Sequence, residues 1–312
     1  MLLMIFFSNT KARRLVYLLA LLIIFTSSRV SAFANNLDSQ GQAKVFNVEI
    51  IGKGKPIILI PGLASAGEVW RPTAEHYRDG YQCHILTLAG FAGQPSVATT
   101  SFVETVYRAI ATYIRTEKLD RPIIVGHSLG GLIALKLAAQ EPDLMGQLVI
   151  VDSLPFFPAV IRPDATVETM KAQAEQMRTI ITNQTPEQWK AFQQNSPVLK
   201  SMITDPKNVA LAAKWGEESE PKTVAQAMYE LYTTDIRDEL SKIKSPTLVI
   251  GTWIAYKPYG TRESTEKIFV DQYAKLAGCK ILMTDTARHF VMLDDPNWLF
   301  QQIDTFLKYR TK

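Results

Sequence analysis

The sequence predicts an α/β fold: a mostly parallel sheet with helices on both faces, carrying an all-helical insertion. Seven short apolar runs rich in β-branched residues recur between Gly, Pro or polar clusters. Helical patterns separate most of them, the alternation that builds a parallel sheet. One long stretch, residues 154–240, breaks the rhythm with helical spacing and no convincing strand.

The strand candidates are residues 45–51, 56–60, 84–88, 122–125, 147–151, 247–250 and 280–284. Residues 102–116 set Phe102, Val103, Val106, Ala109, Ile110, Tyr113 and Ile114 on one helix face. Residues 129–140 (LGGLIALKLAAQ) are apolar nearly all round, as a buried helix is, and Pro142 follows their end. A last helix is expected over residues 298–309, capped by Asp295 with Pro296 in its first turn. Inside the insertion, helical patterns at 165–182, 186–192, 208–215 and 223–232 are punctuated by prolines from Pro155 to Pro221. The sheet pattern resumes at Thr247, so residues 35–153 and 241–312 form one core around the insertion.

The first 34 residues have the form of a cleaved secretory leader. Lys11, Arg13 and Arg14 precede an apolar run at 15–25, and Ala32-Phe33-Ala34 gives the small-x-small cleavage pattern before Asn35. An uncleaved anchor is the alternative, because MLLMIFF adds apolar length ahead of the basic cluster. The formal charge of +4 resides entirely in that leader: without Lys11, Arg13, Arg14 and Arg29, 30 basic residues face 30 acidic ones. A neutral mature chain offers no nucleic-acid footprint, and only the leader, if retained, implies a membrane. The expected location is periplasmic or secreted.

Chemistry concentrates in IIVGHSLGGLIAL, residues 123–135. A buried strand ends in Gly126-His127-Ser128-Leu129-Gly130 and runs straight into an apolar helix, the setting that gives G-x-S-x-G its meaning. The flanking glycines allow a strained turn that pushes the Ser128 hydroxyl out at the sheet edge. The helix start behind it offers unpaired N–H groups to a developing oxyanion.

These features resemble the α/β-hydrolase fold superfamily over nearly all of residues 45–309. ILIPGLASAGEVW (58–70) resembles its oxyanion-loop segment, with Pro61-Gly62 where His-Gly is commoner, and LTLAGFAGQP resembles the Gly-rich loop after the next strand. The resemblance implies that the Leu63 and Leu129 N–H groups form an oxyanion hole and that the insertion is a lid. TDTARHFVMLDDP (284–296) follows the last strand, where the family places its catalytic histidine, which implies that His289 is the general base. His76 and His84 fall in segments with no matching role, and His127, the variable residue of the motif, is expected to point away from Ser128.

The chain order Ser, acid, His places the acid between 128 and 289. The superfamily's most frequent position, the loop after residues 247–250, reads TWIAYKPYG and holds no aspartate. Asp152, at the end of the strand following the nucleophile strand, is the preferred acid, a position some superfamily members use. Glu263 and Asp235 are the alternatives; a Ser–His dyad or an inactive site is the remaining possibility. A bland role for Asp152, capping the turn into the insertion, also stands.

Phe156, Trp253 and Tyr256, with Phe157, Tyr259 and Trp215, are candidates for an apolar acyl pocket, or simply for packing. No metal-ligand, dinucleotide or P-loop pattern is present, so no cofactor is expected. The superfamily strand order 1-2-4-3-5-6-7-8 implies that Cys83 and Cys279 lie five strands apart, about 24 Å at the usual spacing, so two free, largely buried thiols are expected. The functional expectation is an exported serine hydrolase acting on a small ester or similar acyl substrate. An acyltransferase or cofactor-free perhydrolase on the same site, or a non-catalytic binding protein, are the alternatives.

Overall fold

Each apolar run becomes a strand of a single sheet: β1 (Phe46–Gly52), β2 (Lys55–Ile60), β3 (Tyr81–Leu88), β4 (Ile123–His127), β5 (Gln147–Val151), β6 (Thr247–Thr252) and β7 (Lys280–Thr284). The computed structural model describes residues 44–308, so the expected leader at 1–34 lies outside the described residues. The strand order is β1-β3-β2-β4-β5-β6-β7. β1 pairs antiparallel with β3, and every other pairing is parallel. β4, β5 and β6 are buried at every residue, which is why they read as unbroken apolar runs rather than alternating ones.

The pleat sends successive side chains of β2 to opposite layers. Ile58 and Ile60 pack with α2 (Phe102–Thr116) and α3 (Leu129–Gln140), whereas Ile57 and Leu59 pack with α1 (Arg71–Tyr77) and α11 (Pro296–Lys308). Asp295 caps α11 by accepting the Trp298 N–H at 3.2 Å. The mostly parallel α/β sheet expected from the sequence is therefore the observed one.

Between β5 and β6 the described chain is helical: α4 (Val167–Thr182), α5 (Pro186–Asn195), α6 (Pro197–Met202), α7 (Pro206–Glu217) and α8 (Pro221–Thr233), with short 3₁₀ turns. Pro186, Pro197, Pro206 and Pro221 occupy first helical positions, where the missing N–H costs nothing and φ is already helical. The side chains of Thr185, Ser196, Asp205 and Glu220 cap these same helices. These four of the prolines that punctuate the sequence are thus start signals. α1, α6 and α9 (Arg262–Gln272) escape the sequence patterns because the first two are short and the third buries only Thr265, Phe269 and Gln272.

This segment is fastened to the sheet's loops. The Glu220 N–H donates to Gly90 O at 2.7 Å, and the Gly93 N–H donates to Glu218 O at 3.0 Å. α2 has no side-chain cap of its own; Glu230 of α8 supplies one, accepting the Phe102 N–H at 2.6 Å and the Val103 N–H at 2.8 Å. Among the described residues no helix is long and apolar enough to cross a membrane.

Cys83 on β3 and Cys279 just before β7 are both free, at positions five strands apart in the sheet order. Burial pushes each thiol up to about 12. Cys83 is fully buried and Cys279 half-buried. A thiol titration of the denatured, unreduced protein should return two thiols per chain. Glu230→Ala should lower unfolding stability in urea by about 1–2 kcal/mol, the upper part of the range for losing a helix cap, because two N–H groups lose their acceptor together.

Candidate active site

Ser128 links β4 to α3 with φ 52° and ψ −121°, a conformation that L residues rarely adopt. Such a residue stores on the order of 1–3 kcal/mol and persists only where its surroundings enforce it. Here they do. A Cβ on Gly126 would stand 2.3 Å from the Gly130 carbonyl oxygen, and one on Gly130 would stand 2.5 Å from the carbonyl oxygens of Ile60 and Pro61. The turn is tight because only glycine fits on either side. The Ser128 N–H donates to Val151 O at 3.0 Å, and the Ser128 carbonyl accepts the first α3 bonds, from Gly131 at 2.8 Å and Leu132 at 3.1 Å. The Leu129 N–H, at the first turn of α3, and the Leu63 N–H, in the loop after β2, donate no hydrogen bond among the described residues.

Asp152 follows β5 directly and, like Ser128, is a non-glycine residue at positive φ, 43°. Its buried carboxylate is surrounded by donors. Thr252, the last residue of β6, gives its N–H to Oδ1 and its hydroxyl to Oδ2, each at 3.0 Å. The Tyr256 hydroxyl reaches Oδ2 at a long 3.5 Å. His289 Nδ1 reaches the same Oδ2 at 2.6 Å. A carboxylate only accepts, so Nδ1 carries the proton and Nε2 is left with a lone pair.

His289 lies in the loop between β7 and α10 (Val291–Asp294), and its neighbours are held on both sides. The Arg288 N–H donates to Asp294 Oδ2 at 2.9 Å, and the Phe290 N–H donates to Met202 O, at the end of α6, at 3.3 Å. The His289 carbonyl accepts His127 Nε2 at 3.0 Å.

A narrow cavity joins Ser128, Asp152 and His289 to Ser153, Leu154, Phe157, Leu231, Tyr256 and Phe269. Ser128 Oγ and His289 Nε2 make no hydrogen bond to one another among the described residues; in unliganded sites such contacts commonly tighten only with substrate. A hydroxyl, an imidazole with a free Nε2 and a carboxylate on its Nδ1 are together equipped for nucleophilic acyl chemistry. The rest of the cavity wall is uncharged, and apart from Ser153 and the Tyr256 hydroxyl it is apolar.

The remaining candidates fall elsewhere. Phe156 is outside the cavity: Gln272 bonds both its N–H and its carbonyl, each at 3.0 Å, and its ring packs with Ala159, Ala165 and Met170. Phe157, next in the chain, lines the cavity instead. Trp253 turns outward, donating to Asp285 at 2.9 Å with Lys257 over its ring. Glu263 is exposed at the start of α9, and Asp235 is paired with Arg237, so neither meets His289. Trp215 donates to Glu68 at 3.3 Å. Tyr256, expected as a pocket wall, is that and also a donor to Asp152. Thr252 and His127 went unassigned in the sequence, since a threonine ending a strand and the variable residue of a motif carry no signal of what they touch.

Burial, and next the nearby His289, hold the His127 imidazole well below 6.5, with only its bond to the His289 carbonyl opposing. Burial likewise lowers His84. The Tyr256 hydroxyl is raised far above its ordinary 10, by burial first and by Asp152 second, so it stays a neutral donor. Both depressed histidines take protons more readily unfolded than folded. Stability should therefore be complete above about pH 6.5 and fall as pH drops below it. Urea midpoints from pH 8 to 5 test this, and His127→Gln should flatten the slope.

A model of the alpha/beta hydrolase family matches residues 57–302. A pimeloyl-[acyl-carrier protein] methyl ester esterase of Aliivibrio salmonicida is 29% identical over 197 residues, covering 62% of this chain and 72% of that protein. The enzyme of the same name from Aliivibrio fischeri is 25% identical over 260 residues, covering 82% of this chain and 95% of its own. Among solved structures, the enol-lactonase from Burkholderia xenovorans superposes with a TM-score of 0.68 at 18% identity, over 84% of this chain and 96% of that one. An esterase from Exiguobacterium antarcticum superposes with a TM-score of 0.69 at 19% identity, over 86% and 97%. At these identities the structural likeness speaks for the fold alone.

Proposed function

The chain belongs to the alpha/beta hydrolase family, and on that premise we propose that it is an exported serine hydrolase cleaving a carboxylic ester, or a similar acyl substrate, through an acyl-enzyme. The observation that carries the proposal is the 2.6 Å contact between Asp152 and Nδ1 of a histidine sharing its cavity with Ser128. Relatives named as esterases, one of them aligned over 82% of this chain and 95% of its own, support the choice of an ester. The leader-like composition of residues 1–34 supports export.

In this reading Ser128 Oγ attacks the ester carbonyl while His289 Nε2 takes its proton. The Leu63 and Leu129 N–H groups receive the oxyanion. Collapse of the tetrahedral intermediate expels the alcohol, to which His289 returns the proton. Water, activated by the same imidazole, then releases the acid and frees Ser128. Asp152 stays ionised throughout, fixing the tautomer of His289 and stabilising its imidazolium. Leu154, Phe157 and Leu231, contributed by the 154–240 segment, favour an uncharged acyl group and give that segment the role of a lid.

A fluorophosphonate probe should label Ser128 in the wild type and fail with Ser128→Ala. Asp152→Asn should lower kcat by up to about four decades, as loss of the triad carboxylate does elsewhere. Glu263→Gln should leave kcat near wild type. An Asp152→Asn protein as active as wild type removes Asp152 as the acid. Folded wild type that resists the probe and turns over no ester removes the serine hydrolase reading.

A further inference from the structure

His127 is a buried, titratable group that the mechanism leaves unused. We propose that it is a positioning residue, tethering the backbone of His289 so that the base keeps its place relative to Ser128. The proposal rests on the reading of His289 as the base. Its foundation is geometric: His127 precedes Ser128 by one peptide bond, yet its Nε2 donates at 3.0 Å to the carbonyl of a residue 162 positions away, His289 itself.

The carbonyl only accepts, so the Nε2 of His127 carries the hydrogen and Nδ1 is a bare lone pair. Nδ1 is buried and without a hydrogen-bond partner, and the oxyanion loop closes over it: a Cβ on Gly62 would stand 3.0 Å from Nδ1 and 3.2 Å from Ser128 Cβ. The ring is fully buried, 4.5 Å from the His289 ring and 4.8 Å from that of Phe290 between centroids, with Trp70 edge-on at 6.5 Å. One imidazole thus touches the loop bearing the base, borders the loop bearing an oxyanion donor, and is bonded in the chain to the nucleophile. The rigid strand-to-helix turn passes its position to the His289 backbone through a single hydrogen bond.

The tether also needs a neutral ring. A cation at His127 would oppose the imidazolium that forms on His289 a few ångströms away. The surroundings exclude one: the groups packed on His127 are Trp70, Gly62, Phe290 and His289, and none of them is an anion. An aliphatic residue would fill the space without the hydrogen bond, and a cationic one would bring the wrong charge.

The test compares His127→Phe, which keeps a planar ring and removes the donor, with His127→Gln, whose amide nitrogen reaches the place of Nε2. Steady-state hydrolysis of p-nitrophenyl butyrate and the second-order rate of fluorophosphonate labelling are measured per folded molecule, counted by near-ultraviolet circular dichroism. His127→Met replaces His127→Phe if the latter does not fold. The donor-less variant should lose kcat at least about tenfold, toward the ~100-fold that a 1 Å misplacement costs, with KM within about twofold of wild type. Labelling should slow by the same factor, and His127→Gln should recover most of the loss. A donor-less variant as fast as wild type, a loss residing in KM, or a His127→Gln no better than the donor-less variant overturns the tether while leaving the hydrolase reading intact. A wild type that neither labels nor turns over overturns the reading beneath it.

Discussion

The register between β5 and β6 is the constraint on which the site depends. Val151 stands opposite Ile250, so Asp152, one residue beyond the first, and Thr252, two residues beyond the second, meet at the carboxyl edge. The Asp152 N–H closes the ladder on Ile250 O at 2.7 Å, and Thr252 answers with two hydrogen bonds to the carboxylate. A slip of one residue would send each of these side chains to the other face of the sheet. Such a slip would also bury the charge without donors, at a cost of several kcal/mol. The contact to His289 is possible because Asp152 is first held in place by β6. Asp152 and His289 are 137 residues apart in the chain and are brought together by strands two places apart in the sheet.

Backbone strain is distributed in the same way. Among the described residues, six non-glycine positions have positive φ: Ala64, Ala92, Lys118, Arg121, Ser128 and Asp152. Four of them, Ala64, Ala92, Ser128 and Asp152, sit just beyond the carboxyl ends of β2, β3, β4 and β5. Each chain exit there turns sharply enough to leave side chains and N–H groups facing one place. The amino edge holds only Arg121 of this set directly before a strand, β4. Strain stored along one edge is affordable because the strands beneath it are buried on both faces and cannot relax by shifting.

Most of this architecture is legible in the sequence, for a physical reason. Strands that are buried on both sides must be apolar throughout, and α3, sealed beneath them, must be apolar all round. Both patterns therefore stand out without any knowledge of partners. Ser128 and His289 were legible because local sequence fixes their surroundings: glycines around one, a strand end before the other. Asp152 was legible as a strand-end carboxylate and, through the family resemblance, as the preferred partner of His289; the Thr252 donors that hold it were not, since they arise from strand register. Phe156 and Phe157 show the limit most clearly. Adjacent aromatic residues in a loop share every sequence-level property, and Gln272, far along the chain, decides which one faces inward. The hydrogen-bond donors Thr252 and His127 are of the same kind, defined wholly by what lies across the fold.

The borrowed cap on α2 has a consequence for modularity. Segments inserted between two strands of a sheet are often treated as exchangeable parts, to be trimmed or transplanted between homologous cores. Here the core helix α2 begins on two backbone N–H groups whose side-chain acceptor, Glu230, is supplied by the inserted segment. A graft that replaces that segment inherits an unsatisfied helix start unless it carries a carboxylate to the same spot. Core and insertion are in this respect one cooperative unit. The boundary drawn from strand spacing marks where the polypeptide leaves the sheet; it does not mark where one foldable piece ends and another begins.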